Sequence, residues 1–174
     1  MSQSSFPPIA IVGMGLRLPG DVSTPEDFWK LIVNKQDGRC RVPPDRYNVD
    51  GFYDKDAKPN QHVLASDHSY FIKHANLKAF DASFFSMGLS EIEILDPQQR
   101  LLLEVVWECM ENAGQTNWHG KKTGVFVGHF GDDHHESSFS DTQVYNMSRI
   151  TCCLSFALSN RLSFEYGLTG PRYV

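Results

Sequence analysis

The residues best able to carry chemistry in this chain are its four cysteines, because a thiolate is both a nucleophile and a metal ligand. They are Cys40, Cys109, Cys152 and Cys153. No two have the C-x-x-C spacing of a redox or zinc motif. Cys152 and Cys153 fall in the first turns of a predicted helix, where a thiol pKa can be lowered, but no histidine lies in a context that marks it as their base. We therefore expect all four to be reduced thiols, and Cys152 and Cys153 to be small buried hydrophobic residues.

A second group with chemical potential is the acidic and histidine-rich stretch GDDHHESS at residues 131–138. Its candidate ligands for a divalent ion are Asp132, Asp133, His134 and His135. Adjacent residues rarely converge on one ion, so a polar surface segment is the preferred interpretation and a metal site is the alternative. Three further histidines have irregular spacing and are interpreted as surface residues: His62, His68 and His74.

The glycines of GMGLRLPG, which begin at Gly13, suggest a phosphate-binding loop but have the wrong spacing. The third glycine of a dinucleotide fingerprint would stand at the position of Leu18, and a P-loop lysine would follow Gly20, where Asp21 stands. We therefore predict a glycine turn that follows a short buried strand at residues 9–13 (IAIVG), and no cofactor.

The element that would position these residues is a helix within residues 91–114 (EIEILDPQQRLLLEVVWECMENAG). Asp96 is the expected N-cap, Pro97 suits the first helical position, and Gln99 completes a capping box. Gly114 supplies a left-handed stop. Apolar residues occupy most of the circumference, so we expect a helix packed on several sides within a layered protein.

Helices and strands alternate along the rest of the chain, which favours an α/β layered fold. Ser23 or Thr24 caps a predicted helix that has Pro25 at its first position and ends near Asn34. The other predicted elements are a long polar loop at residues 37–69, a strand at 70–72, an aromatic core cluster at 80–87, a buried strand at 122–130, a short helix at 141–147 and a longer helix at 149–166 ended by Gly167.

The totals limit the classes of function. With 174 residues the chain is expected to form one domain with a core. A net charge of −5 and the lack of a basic cluster argue against a nucleic-acid partner. No apolar run approaches the roughly 18 residues of a membrane span, and MSQSSFPP is not a secretory signal. Together with the cysteine pattern, this predicts a cytoplasmic protein.

Seven blocks of sequence occur in an order that carries a resemblance: IAIVGMGLRLPG, STPEDFWKLI, DRYNVDGFY, FDASFFSM, LDPQQRLLLEVVWECMENAG, TGVFVG and FALSNRLSFEYGLTGP. Together they resemble the β-ketoacyl synthase domain of a type I polyketide synthase, and most of all the fungal, highly reducing kind. The resemblance runs from about Pro8 to Pro171. The polar residues that end in Pro7 and Pro8 predict residues 1–7 as a flexible lead, and the resemblance predicts residues 8–174 as the N-terminal portion of one ketosynthase domain.

The resemblance implies a thiolase-like fold with α-β-α-β-α layers, here incomplete, that works as a homodimer. It also implies decarboxylative condensation of an acyl thioester with a malonyl unit on an acyl carrier protein. The family nucleophile is a cysteine in a Thr-Ala-Cys-Ser-Ser block. That block would follow the glycine and proline that correspond to Gly170 and Pro171, and two histidines would come later.

No catalytic residue of the family can be assigned to this chain. The sequence after Pro171 is Arg172, Tyr173 and Val174, which departs from the expected small and apolar residues. None of the four cysteines aligns with the nucleophile. The main expectation is a truncated ketosynthase-like protein that is inactive alone and exposes apolar patches and strand edges. The alternatives are a non-catalytic binding or regulatory partner of a full-length synthase, or an early-terminated gene model of a complete one.

Overall fold

The computed structural model describes residues 7–58, 61–85, 87–140 and 147–174. Most of the predicted lead at 1–7, and all of the predicted short helix at 141–147 except its last residue, therefore lie outside the described residues. The chain forms two compact units. Unit 1 comprises residues 1–14 and 77–174, and unit 2 comprises residues 15–76.

Unit 2 contains helix α1 (Pro25–Val33), strand β1 (Arg39–Arg41), a 3₁₀ turn (Val49–Gly51) and strand β2 (His68–Tyr70). The two strands pair antiparallel, with Arg39 opposite Tyr70. The prediction of an unbroken loop at 37–69 is therefore wrong, and the strand predicted at 70–72 begins two residues earlier. Backbone pairing explains both differences, because it continues beyond β1 where Val42 N–H donates to the Asp67 carbonyl at 2.9 Å.

The described residues of unit 1 form six elements besides the central helix α3 (Pro97–Asn112). They are α2 (Leu89–Ile92), β3 (Val125–Phe126), α4 (Asp133–Ser140), α5 (Arg149–Cys153), α6 (Ala157–Glu165) and β4 (Arg172–Tyr173). β3 and β4 are parallel, with Val125 opposite Arg172 and Phe126 opposite Tyr173. Parallel neighbours need a crossover connection, and the chain between β3 and β4 provides it with helices.

The core of unit 1 forms where α3 and α6 pack against aromatic side chains. One cluster of buried residues consists of Phe85, Leu103, Trp118, Leu162, Tyr166 and Leu168. A second, smaller one consists of Leu95, Cys152 and Cys153. The aromatic segment predicted at 80–87 contributes to this core as expected, since the Phe80 and Phe85 rings stack with centroids 4.9 Å apart.

Helix α3 has the predicted ends but not the predicted capping box. The Asp96 carboxylate accepts from the Gln98 N–H at 2.7 Å, Pro97 is the first helical residue, and Gly114 has a left-handed φ of 65°. Gln99 does not reach back to the residue at the cap. Its side chain is buried and donates to the carbonyls of Thr151 and Cys152 instead, so tertiary hydrogen bonds replace the local one.

Two predicted buried strands are wrong or much shorter than expected. Residues 9–13 form no strand, and Ile9, Ile11 and Val12 are 94%, 84% and 71% exposed. The strand predicted at 122–130 is reduced to Val125–Phe126, and Phe126 is 70% exposed. A strand requires a hydrogen-bonded neighbour, and no strand within the described ranges pairs with residues 9–13.

Candidate functional site

The thiols of Cys152 and Cys153 lie inside unit 1, at the end of α5. Cys152 is fully buried and Cys153 is 3% exposed. The Cys152 thiol is 3.8 Å from the Glu91 carbonyl oxygen, and the Cys153 thiol is 3.4 Å from that of Ile94. In both contacts the S–H group donates to a backbone carbonyl, which requires a protonated thiol. The prediction that both are small buried residues is confirmed.

Electrostatics also keep these two thiols protonated. Burial raises the pKa of Cys152, and the Arg161 guanidinium opposes this rise only in part. Burial likewise raises the pKa of Cys153. A nucleophilic cysteine needs the opposite shift, because only the thiolate attacks. The lowered thiol pKa that a position near a helix N-terminus can produce therefore does not occur at Cys152 or Cys153, in line with the preferred interpretation of both as buried small residues.

The single helix predicted at 149–166 is wrong, because the structure breaks it into α5 and α6. Leu154 is extended, with φ −87° and ψ 143°. In a continuous helix the Cys152 carbonyl would accept from the Phe156 N–H. Here it accepts from the Asp96 N–H at 3.0 Å and the Gln99 Nε2 at 2.9 Å. We call this break at residues 154–156 the elbow.

A pocket of about 320 Å³ opens beside the elbow. Its lining residues are Glu91, Thr151, Phe156, Ala157, Asn160, Arg161 and Phe164. Glu91 and Arg161 form an ion pair at 2.6 Å, and the Arg161 side chain is only 11% exposed. Since the two charges neutralise each other, the remaining wall is largely apolar and suits an apolar group better than an ion.

Two further titratable groups near α6 have shifted pKa values. Burial raises the pKa of Glu165, and Arg161 partly offsets the shift. Burial also raises the pKa of Tyr166 strongly, and its hydroxyl donates to the Leu103 carbonyl at 2.6 Å. This hydrogen bond joins α6 to α3 and keeps the phenol protonated. Neither group lies in hydrogen-bond contact with a cysteine within the described residues.

The side chains of the acidic and histidine-rich segment at residues 131–138 do not converge on one site. His134 Nε2 lies 3.1 Å from the Ile94 carbonyl oxygen, whereas His135 packs against the ring of Phe139. In the part of the chain that the structure describes, no three His, Cys, Asp or Glu side chains are placed to hold a metal ion.

The structure also places the remaining histidines and cysteines that the sequence singled out. His68 Nδ1 lies 2.6 Å from the Asp67 carboxylate, and His74 lies 3.8 Å from that of Asp21. His62 is exposed. Cys40 lies in β1 and Cys109 in α3, and both are half-buried free thiols.

Sequence reasoning missed the two interactions that organise this region, namely the Gln99 amide bridge and the Glu91–Arg161 ion pair. Each joins residues more than fifty positions apart. The only sequence signal was Gln99 in the DPQQR string, which we interpreted as a local cap. A buried amide and a long-range ion pair have no short-range signature.

Comparison with known proteins shows which family has a sequence similar to that of this chain. The family model for the β-ketoacyl synthase N-terminal domain matches residues 7–174. Highly reducing polyketide synthases of Glarea lozoyensis and of a Fusarium species are 49% identical over 173 residues and 52% identical over 164 residues. The matches cover 99% and 94% of this chain, which spans only 7% and 6% of the two synthases.

Solved structures agree on the fold. The ketosynthase from module 6 of the bacillaene synthase of Bacillus subtilis 168 matches with a TM-score of 0.73 at 24% identity, over 95% of this chain and 26% of that one. The oxazolomycin ketosynthase domain of Streptomyces albus JA3453 matches with a TM-score of 0.68 at 27% identity, over 94% and 28%. No described helix is long and apolar enough to cross a membrane. The chain thus has part of the thiolase-like α/β fold, and it belongs to the β-ketoacyl synthase family.

Proposed function

We propose that this chain supplies the N-terminal scaffold of a highly reducing type of polyketide ketosynthase and does not itself carry the condensation chemistry. The family reaction joins an acyl thioester to a malonyl unit on an acyl carrier protein, with loss of carbon dioxide. The whole enzyme would work as a homodimer with its carrier protein. The scaffold role is supported by the similarity to highly reducing synthases along almost the whole chain.

The observation that carries the non-catalytic part of the proposal is the state of the two elbow thiols. Cys152 and Cys153 are buried, donate to backbone carbonyls and have raised pKa values. An acyl-accepting cysteine must be reachable by a carrier-bound thioester and easily deprotonated. These residues meet neither requirement.

The test is to incubate the purified chain with an acyl thioester and malonyl-carrier protein. We expect no condensation product by mass spectrometry, and no acyl group on Cys152 or Cys153 in the intact protein. A complete ketosynthase of the highly reducing class, assayed with the same substrates, is the positive control. Turnover by the chain that disappears in the Cys152→Ser or Cys153→Ser variant would refute the proposal.

A second function, docking onto a full-length synthase, is favoured by one feature of unit 2. Helix α1 has no buried residue, and Trp29, Ile32 and Val33 are 67%, 50% and 57% exposed. An apolar helix face of this kind is typical of an interaction surface. A tagged chain should then retain a ketosynthase at a fixed stoichiometry, and Trp29→Glu should abolish the retention. Equal capture by the variant would exclude α1 as the docking surface.

A further inference from the structure

The elbow is a place where local sequence preference and tertiary structure disagree. Residues 149–166 contain no proline or glycine, and their apolar spacing predicts one helix. The structure instead contains two helices with the extended residue Leu154 between them. Sharp breaks without proline or glycine arise where another group inserts into the helical hydrogen-bond ladder.

The inserting groups belong to the first turn of α3. A continuous helix would use the Thr151 and Cys152 carbonyls to accept from the N–H groups four residues later. In the structure the Thr151 carbonyl accepts from Gln99 Nε2 at 3.2 Å, and the Cys152 carbonyl accepts from the same nitrogen at 2.9 Å. The Asp96 N–H donates to Cys152 as well, at 3.0 Å. Both helical acceptors are therefore occupied.

Gln99 is suited to this task because a primary amide offers two N–H donors on one nitrogen. Only one orientation of the amide is compatible with the contacts, since the reverse would place its oxygen against two carbonyl oxygens. The side chain is 2% exposed, and its oxygen has no hydrogen-bond partner among the described residues. A buried amide oxygen without a partner costs free energy, which the two donated hydrogen bonds offset.

We propose that Gln99 is a clamp that holds residues 149–165 in a broken conformation, whose alternative is one continuous helix. The pocket beside the elbow depends on this clamp, because Thr151 contributes to its wall from α5 while Ala157 and Arg161 contribute from α6. Releasing the clamp would realign α6 with α5 and change the pocket. This inference concerns the conformation of the chain and does not depend on the proposed function.

The first test is Gln99→Leu, which replaces the amide with an apolar side chain of similar size and so removes both donors. We expect the amides of Ser155 and Phe156 to become protected from hydrogen exchange by about tenfold, since the Thr151 carbonyl would be freed and the Cys152 carbonyl, which has two lone pairs, would keep only the Asp96 N–H. The rest of α6 should keep its protection. Unchanged or reduced protection at these two amides in a folded variant would overturn the proposal.

A matched variant, Ser155→Pro, locks the elbow. The Ala157 N–H donates to the Leu154 carbonyl at 3.0 Å, so Ser155 occupies the second position of a turn, where proline is favoured. The residue before a proline also prefers the extended conformation that Leu154 already has. Proline at this position would break a continuous helix.

The locked variant makes the proposal falsifiable even if Gln99→Leu fails to fold. Ser155→Pro in the wild-type background should fold and keep the wild-type exchange pattern of α5 and α6, and its failure to do so would refute the elbow as the native form. In the double variant, Ser155→Pro should prevent the gain of protection at Phe156. A gain that persists in the double variant would show that it does not come from a continuous helix.

Discussion

Helices α1 and α3 begin with the same local signals but are buried to very different extents. Each has proline at its first position and a capping side chain before it. The Thr24 hydroxyl accepts from the Asp27 N–H at 3.2 Å, and the Asp96 carboxylate accepts from the Gln98 N–H at 2.7 Å. Both helices also carry many apolar residues. Their starts are therefore equivalent in sequence terms.

The difference lies in what surrounds each helix. Leu103 of α3 is fully buried in the larger core cluster of unit 1. Helix α1 has no buried residue within unit 2, and its Trp29 is 67% exposed. The comparison teaches that capping and propensity decide where a helix begins, whereas burial depends on neighbours that the helix does not encode.

The two helices should differ most in how much free energy of unfolding is lost when one of their apolar side chains is truncated. Leu103→Ala should lower the free energy of unfolding by about 2–5 kcal/mol, because it leaves a cavity in a packed core. Ile32→Ala in α1 should change it by less than about 0.5 kcal/mol, because Ile32 is half exposed. Urea denaturation followed by circular dichroism measures both. Equal losses would show that α1 is buried in solution.

Removing the N-cap side chains should lower the free energy of unfolding by less than truncation in the core does, and the losses for the two helices should be more similar. Asp96→Ala should cost about 2 kcal/mol, the upper end for an N-cap, since Asp96 is 7% exposed and its helix end is buried. Thr24→Ala should cost about 0.5–1 kcal/mol at its exposed helix end. The same denaturation experiment compares them. A larger loss for Thr24→Ala would contradict the ranking.

Removing the hydrogen bond from the Tyr166 hydroxyl to the Leu103 carbonyl tests the packing of α3, without a corresponding change in α1. Tyr166→Phe should cost about 0.5–1.5 kcal/mol, the usual net value of one such bond. Tyr47→Phe is the matched control, because Tyr47 is 42% exposed and its change should be near zero. Thermal unfolding of the two variants provides the measurement. If Tyr166→Phe were as stable as the wild type, the hydrogen bond would make no net contribution to stability.

The smallest effect should be a pH dependence of the α1 cap. The hydrogen bond from the Thr24 hydroxyl lowers the pKa of Asp27 below its ordinary 3.8. A carboxyl whose pKa is depressed on folding contributes stability above its unfolded pKa, and that contribution is lost as the pH falls through the folded value. NMR titration should show the Asp27 pKa rising in Thr24→Val. An unchanged value would exclude the hydroxyl as the cause.

Much of the local structure could be predicted from sequence. The starts of α1 and α3, the stop at Gly114 and the burial of Cys152 and Cys153 all depend on neighbouring residues or on side-chain polarity. The α/β class depends on the same kind of pattern. The resemblance to ketosynthases, carried mainly by strings such as DPQQRLLLE, gave the family correctly.

The wrong predictions share one physical cause, because the structure at each of these positions depends on residues that are distant in sequence. Residues 9–13 have strand composition but no neighbouring strand in the described chain. The elbow exists because Gln99 and Asp96 occupy acceptors more than fifty residues away. The roles of the other predicted residues, including the lack of a catalytic group, stay predictions that the experiments above address.

The parallel pairing of β3 with β4 sets a length requirement on the chain between them. The Gly170 N–H donates to the Thr123 carbonyl at 3.1 Å, and a Cβ at Gly170 would stand 2.3 Å from that oxygen, so only glycine fits this approach. The rings of Phe126 and Tyr173 stack on one face only in this register. A single residue inserted between Gly170 and Tyr173 would turn Tyr173 to the opposite face of the pair. The number of residues from Gly170 to Tyr173 is therefore fixed by the pairing, in the same way as the identity of Gly170 itself.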